Sequence, residues 1–266
     1  MSLPVKVLNI VGARPNFMKM APLVHVMARY PTEIRQVLVH TGQHYDENLS
    51  RVFFDELEIP RPDINLGVGS GTREEQIARI QEAFEPIVRR EQPDLVLVVG
   101  DVNSTIACAE IALRHEVRVA HVEAGLRSFD LDMPEEHNRC ATDKIADYLF
   151  VTEDSGMKNV EREGLPGRAF FVGNVMIDTL RANQERANGS DVLERFRLAE
   201  GDYFVATFHR PSNVDSREEL TELVGTISAI CARGTLVLPL HPRTQHSLDH
   251  HGLLDELLAT AGLICT

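Results

Sequence analysis

The sequence predicts an α/β protein made of two Rossmann-like, doubly wound parallel-sheet domains, on three observations. Short apolar runs end in polar loops again and again: Val5–Val11 into Gly12-Ala13-Arg14-Pro15-Asn16, residues 37–40 into Thr41-Gly42-Gln43-His44, and Leu95–Val99 into Gly100-Asp101-Val102-Asn103. Between the runs lie segments whose apolar residues recur at helical spacing. After a polar interruption at 187–191 (ANGSD) the alternation starts afresh. Strand, helix, strand in this order builds a parallel sheet with right-handed crossovers.

Taken in order, the first strand is followed by a helix over 18–30 with one apolar face. The strand at 37–40 comes next, and then a helix over 72–90 (TREEQIARIQEAFEPIVRR) with charge opposite its apolar stripe. The strand at Leu95–Val99 leads into a helix over 104–115, which the small hydroxylated Ser104 is expected to cap. Strands at 117–122, 148–151 and 170–172 follow, with a helix over 153–163 and the segment GNVMIDTL after the last strand. The ANGSD run sets the domains at 1–186 and 187–266. The second domain reads as strand 203–207, helix 218–233, strand 236–240, helix 253–261 and a further strand opening at 262–266. Two completed strands would leave a sheet edge and helix faces uncovered, so the chain is expected to stop inside its second domain.

Composition fits a soluble enzyme. At 266 residues the chain holds one large domain or two small ones. The formal charge of -13, from 27 basic and 40 acidic residues without a long basic run, argues against a nucleic-acid partner. Cys108, Cys140, Cys231 and Cys265 show no CxxC or metal-ligand spacing, which fits free thiols in a reducing cytosol and no metal site. No basic-apolar leader or long apolar run is present, so the expected location is cytoplasmic, with no membrane partner.

The chemistry is concentrated in residues 121–139, HVEAGLRSFDLDMPEEHNR, which pack five carboxylates and two arginines directly behind an apolar strand. Ligands of open α/β sheets sit beyond the carboxyl ends of the strands. The loop GARPNFMK leaves a strand and opens a helix, so its N–H groups favour an anion, with Arg14 and Lys19 adding charge. It is neither a GxGxxG nor a Walker loop, and a plain βα turn has the same outline. Asp101 and Glu123 stand at strand ends, where burial and nearby cations tune a carboxylate for proton transfer. Asp101 could instead cap the next helix, while Glu123 needs a partner, for which Arg127 is the obvious candidate. Glu135 and Glu136 also suit the first turn of a helix. His209-Arg210 and His241-Pro242-Arg243 end successive strands of the second domain, and two such pairs favour a phosphorylated ligand.

In this order, GARPNFMKMAPL, TGQHYD, GDVNSTIA, HVEAGLRSFDLDMPEEHNR, GNVMIDTL and FHRPSNVD resemble the non-hydrolysing UDP-N-acetylglucosamine 2-epimerases, over residues 5 to about 243. The resemblance implies a two-lobed, GT-B-like fold with the nucleotide sugar in the interlobe cleft. It implies reversible interconversion of UDP-GlcNAc and UDP-ManNAc without metal or nicotinamide cofactor, by C2 deprotonation, loss of UDP to give a 2-acetamidoglucal, and re-addition. By matching position, Asp101, Glu123 and Glu135 correspond to the catalytic acids, and Lys19 and His209 to the essential basic residues. Arg14 and Arg139 correspond to substrate-contacting arginines, and Gln43, Asn174 and His241 to further substrate contacts. The partner would be a UDP-sugar, and the assembly a homodimer through the first lobe.

The sequence departs from that family in three places. Residues that bind an activating second UDP-GlcNAc in many bacterial members are not matched at Asp46, Ser70 and Pro211-Ser212, although Gln43 and His241 remain. The acid loop at 129–133 is shorter. The family also continues into a Ser-Gly-Gly loop with paired glutamates and a Thr-Glu-Arg-Pro segment, so this 266-residue chain is expected to bind UDP weakly and turn over poorly. Rival readings are a hydrolysing epimerase, a GT-B glycosyltransferase, an epimerase of a modified UDP-sugar such as a diacetamido uronic acid, and a non-catalytic nucleotide-sugar binding module.

Overall fold

The computed structural model describes residues 3–42, 54 and 56–266. The chain divides into two compact units, Met1–Glu185 and Arg186–Thr266. In chain order the first contains β1 (Val5–Val11), α1 (Arg14–Met27), β2 (Ile34–His40), β3 (Ile64–Asn65), α2 (Arg73–Glu91), β4 (Leu95–Val99), α3 (Asn103–Arg114), β5 (Arg118–Ala124), α4 (Pro134–Ile145), β6 (Tyr148–Val151), α5 (Asp154–Glu163) and β7 (Arg168–Phe171). The helix α6 (Val175–Asn188) then runs across the boundary.

The sheet of the first unit has seven strands in the order β3-β2-β1-β4-β5-β6-β7, and every pairing is parallel. Its strands are apolar almost throughout because both faces are covered. Val7, Val11, Leu38, Leu97, Val99 and Val122 face Phe17, Met20 and Val24 of α1. On the other face Leu8, Ile10, Val39, Val96 and Val98 meet Phe84 and Ile80 of α2 and Ile111 of α3. Strand order reverses between β1 and β4, the switch point where the loops after the strands diverge and leave a crevice. The four strands whose loops drew notice in the sequence, β2, β1, β4 and β5, are consecutive neighbours.

Two helix starts differ from the sequence reading. The first helix begins at Arg14 rather than 18, because Pro15 sits in the first turn, where a missing N–H costs nothing. Asn16 Oδ1 accepts from the N–H groups of Gly12 and Ala13 at 3.0 and 3.2 Å, and its amide donates to the Val99 carbonyl at 2.9 Å. In α3 the capping position belongs to Val102, so Ser104 is no cap. Its hydroxyl is buried and lies 2.7 Å from that of Thr41.

The second unit holds α7 (Val192–Phe196), β8 (Tyr203–Val205), α8 (Pro211–Val214), α9 (Arg217–Cys231), β9 (Thr235–Leu238), α10 (Pro242–His250), α11 (Leu254–Leu258) and β10 (Leu263–Cys265). Its parallel sheet runs β10-β9-β8. A capping box opens α9: Ser216 Oγ accepts from Glu219 N, and the Glu219 carboxylate accepts from Ser216 N, both at 3.2 Å. Leu220, Ile227, Leu236, Leu248 and Leu257 form its core. All four cysteines are free thiols. Among the described residues no helix is long and apolar enough to cross a membrane.

Candidate active site

The ends of β4 and β5 set the site. Gly100, at φ +66°, turns the chain out of β4 while its N–H donates to the Val122 carbonyl at 3.0 Å. In β5 the register with β6 shifts between Val122 and Ala124, and the residue in that bulge is Glu123, at φ +74°. A residue carrying a Cβ holds that conformation only where its surroundings over-determine it. The bulge turns the Glu123 carboxylate toward α1, where it forms an ion pair with Lys19. Both side chains are largely withdrawn from water, at 11% and 15% exposure. A Cβ on Gly100 would lie 2.8 Å from Lys19 Nζ and 3.3 Å from Glu123 Oε2, so glycine is what leaves room for the pair.

A second carboxylate–cation pair stands beside the first. Asp101 is ion-paired with Arg139 of α4, so it does not cap α3. Asn138, buried on the same helix, donates to the Asp101 carbonyl at 2.9 Å and to Asn103 Oδ1 at 3.1 Å, and it accepts from Arg73 at 2.7 Å. The tandem glutamates part company. Glu135 is exposed, and its carbonyl accepts from Arg139 Nε at 3.3 Å. Glu136 is buried and accepts from the N–H groups of Ser128 and Phe129 and from the Ser128 hydroxyl, at 2.9, 3.1 and 3.0 Å. Burial opposes its charge, but those donors and Arg139 outweigh it and hold the carboxyl below its ordinary range.

Arg127, expected from the sequence to pair with Glu123, does something else. It forks onto Glu163 at 2.9 and 2.7 Å and donates to Asp143 at 2.7 Å. The bulge accounts for the difference by swinging Glu123 to the α1 side. Asp143, fully buried, also accepts from Gly125 N at 3.0 Å and lies 2.7 Å from His121 Nδ1. The other ring nitrogen of His121 is 2.8 Å from the Gly100 carbonyl. Burial again works against ionisation of Asp143, yet His121 and Arg127 keep its carboxyl below the ordinary range.

The remaining predicted residues are more scattered. Arg14 is the first residue of α1, directly past β1. Gln43 lies outside the described residues. Asn174 precedes α6, and its Oδ1 accepts from Met176 N at 2.9 Å. That helix returns to the site wall, since Thr179 donates to the Met18 carbonyl at 2.6 Å, one residue from Lys19. In the second unit the exposed rings of His209 and His241 stack with centroids 5.3 Å apart. The buried Thr244 ties the start of α10 to the loop after β8 by a hydrogen bond to the Phe208 carbonyl. Arg243 is engaged by Asp215 at 3.0 and 2.7 Å, and its N–H donates to His241 Nδ1 at 3.1 Å, so the second of the two expected His/Arg pairs is tied into the start of α10.

Sequence reasoning missed Gly100 as a spacer, Glu136 as the strut of the 128–129 loop, and His121 and Asp143 behind the bulge. A histidine inside an otherwise apolar strand was the available signal. Chemically, two carboxylates, each with its own cation at neighbouring strand ends, suit a proton removed and returned beside an anionic group.

The family model described as UDP-N-acetylglucosamine 2-epimerase matches residues 27–264. A UDP-N-acetylglucosamine 2-epimerase of Methanocaldococcus jannaschii is 39% identical over 259 residues, covering 95% of this chain and 70% of that protein. A UDP-2,3-diacetamido-2,3-dideoxy-D-glucuronate 2-epimerase of Pseudomonas aeruginosa is 39% identical over 258 residues, covering 95% and 71%. The crystal structure of the M. jannaschii UDP-GlcNAc 2-epimerase in complex with UDP-GlcNAc and UDP superposes with a TM-score of 0.87 at 37% identity, covering 98% of this chain and 73% of that one. A match of this extent places the chain in the UDP-N-acetylglucosamine 2-epimerase family.

Proposed function

We propose that the protein interconverts UDP-GlcNAc and UDP-ManNAc without hydrolysing either. The C2 proton is taken by an enzyme base while the C1–O bond breaks. The C2–H electron pair becomes the C1–C2 double bond, and the C1–O pair leaves with UDP. UDP then adds back to the 2-acetamidoglucal at C1 while C2 is protonated from the opposite face. An unactivated C2–H is a poor acid, so positive charge developing at C1 as UDP departs must help to acidify it. Carboxylates serve both as proton carriers and as stabilisers of that oxocarbenium-like centre.

The observation that carries the reading is the Lys19–Glu123 pair standing next to the Asp101–Arg139 pair at the switch point of the sheet. In this reading Asp101, Glu123 and Glu135 handle the protons and the charge at C1. Lys19, Arg14, Arg139, His209 and His241 hold the diphosphate through loss and return, and Gln43 and Asn174 contact the substrate. We take the enzyme to act as a cytoplasmic homodimer, which light scattering on the purified protein checks.

The test is incubation with UDP-GlcNAc in deuterated buffer, following UDP-ManNAc and deuterium at C2. Asp101→Asn and Glu123→Gln are each expected to lower exchange by roughly 10²- to 10⁴-fold while the fold is retained. Exchange at the parent rate in both variants would remove both carboxylates from the mechanism. Release of free UDP with ManNAc indicates a hydrolysing enzyme, and calorimetric binding without exchange indicates a binding module. A modified substrate is the one rival with direct support, from the P. aeruginosa relative at 39% identity. A parallel assay with UDP-2,3-diacetamido-2,3-dideoxy-glucuronate decides between the sugars.

A further inference from the structure

Asp143 touches a side chain before Glu123 and the backbone after it. One of its oxygens lies 2.7 Å from the ring of His121, two residues before Glu123, and the other accepts from the N–H of Gly125, two residues after, at 3.0 Å. Its carboxylate therefore spans the bulge that holds Glu123 at φ +74°. His121 carries the clamp sideways: its second nitrogen lies 2.8 Å from the carbonyl of Gly100, the residue whose missing Cβ makes room for Lys19 Nζ. Both ring nitrogens face oxygen atoms, so the ring is held from two sides. Arg127 locks the assembly from behind, its side chain 1% exposed between Asp143 and Glu163. His121 and Asp143 are themselves fully buried, so they have no route to substrate.

We propose that Asp143 and His121 form a positioning pair that holds Glu123 in its left-handed conformation against Lys19, and so sets the aim of the proton-transfer carboxylate. The inference rests on the epimerase reading for its catalytic consequence, but its structural part stands independently. A buried clamp of this kind confers precision that a strand-end loop lacks by itself, since a misplacement of about 1 Å costs on the order of a hundredfold in rate.

Asp143→Asn keeps the shape and removes the charge, and a crystal structure of that variant is expected to show Glu123 out of the left-handed region with its contact to Lys19 broken. An unchanged Glu123 would overturn the proposal, whatever the protein's activity. In the exchange assay the same variant should lower kcat about ten- to a hundredfold with KM little changed. In a Glu123→Gln background it should cost nothing further, because the pair acts through Glu123. An equal loss in both backgrounds would show a general structural role and refute the proposal. If Asp143→Asn does not fold, His121→Gln and His121→Asn carry the same cycle. Glutamine can retain the contact to Gly100 and asparagine the contact to Asp143, so each should give a partial loss that vanishes when Glu123 is already glutamine. A protein without C2 exchange refutes the epimerase reading alone, leaving the crystallographic comparison to decide the positioning role.

Discussion

Replacing Gly100 with alanine separates the site's chemistry from the stability of its fold. Two costs are readable from the structure. At φ +66° an L side chain is strained by roughly 1–2 kcal/mol. The added Cβ would also stand 2.8 Å from Lys19 Nζ, where ordinary contact begins at 3.4 Å, so something must move by 0.6 Å or more. The cheapest movement is that of the ammonium, the far end of a flexible chain, and it carries Lys19 away from Glu123. Stability should therefore fall only by the backbone cost of about 1–2 kcal/mol, whereas C2 exchange should fall by tens to about a hundredfold. Gly164→Ala is the matched control: φ is +57°, and no atom lies within 4 Å of the new Cβ. It should show a similar loss in a urea titration with exchange intact. Were Gly100→Ala as active as Gly164→Ala, the Lys19–Glu123 contact would have no part in the reaction.

Glu136→Gln is expected to flatten the acid limb of the stability curve. The Glu136 carboxyl is held below its ordinary 4.5 by its donors, so its contribution is complete above that value and is lost as pH falls through the lower folded value. Urea midpoints from pH 7 to pH 3 should therefore converge for parent and variant at the acid end, and parallel curves would contradict the assignment. Asp143 has the same sign and leaves the variant some residual acid sensitivity. His241→Ala removes the ring nitrogen that accepts from Arg243 N at 3.1 Å and opens α10. It should cost about 0.5–2 kcal/mol as a lost cap and should also weaken calorimetric UDP binding; unchanged affinity would take His241 out of the nucleotide site.

The sheet of the first unit was legible because strands buried on both faces write themselves as unbroken apolar runs, as Leu95–Val99 and Val5–Val11 do. The helix α10 was not legible. In PRTQHSLDH only Thr244 and Leu248 are buried, which is too sparse a pattern to show a period. The two-residue β3 has no pattern at all and owes its pairing to β2. At the site, the residue types at the strand ends were readable, including Asp101, Glu123, Lys19 and Arg139, but their partners were not. The sequence pointed to Arg127 for Glu123 by proximity. A single-residue bulge reversed that assignment by turning one side chain to the opposite neighbour, and nothing in the composition of AHVEAGL announces a bulge.

Backbone strain marks the same place without reference to any relative. Among the described residues, six other than glycine have positive φ: Glu58, Gln92, Glu116, Phe129, Arg197 and Glu123. Gln92 and Arg197 close helices, where a left-handed residue satisfies the last carbonyls, and Glu58 and Glu116 sit in turns. Those four have local reasons. Phe129 and Glu123 do not, and each is held by a buried carboxylate from α4: Glu136 accepts from Phe129 N, and Asp143 spans the bulge around Glu123. Both carboxylates bear the desolvation cost of burial and stay ionised through donors from the strained segment itself and from flanking cations. Local preference is overridden where the arrangement of side chains matters more than the comfort of the chain. Here that is residues 121–139, and α4 is the helix that enforces it.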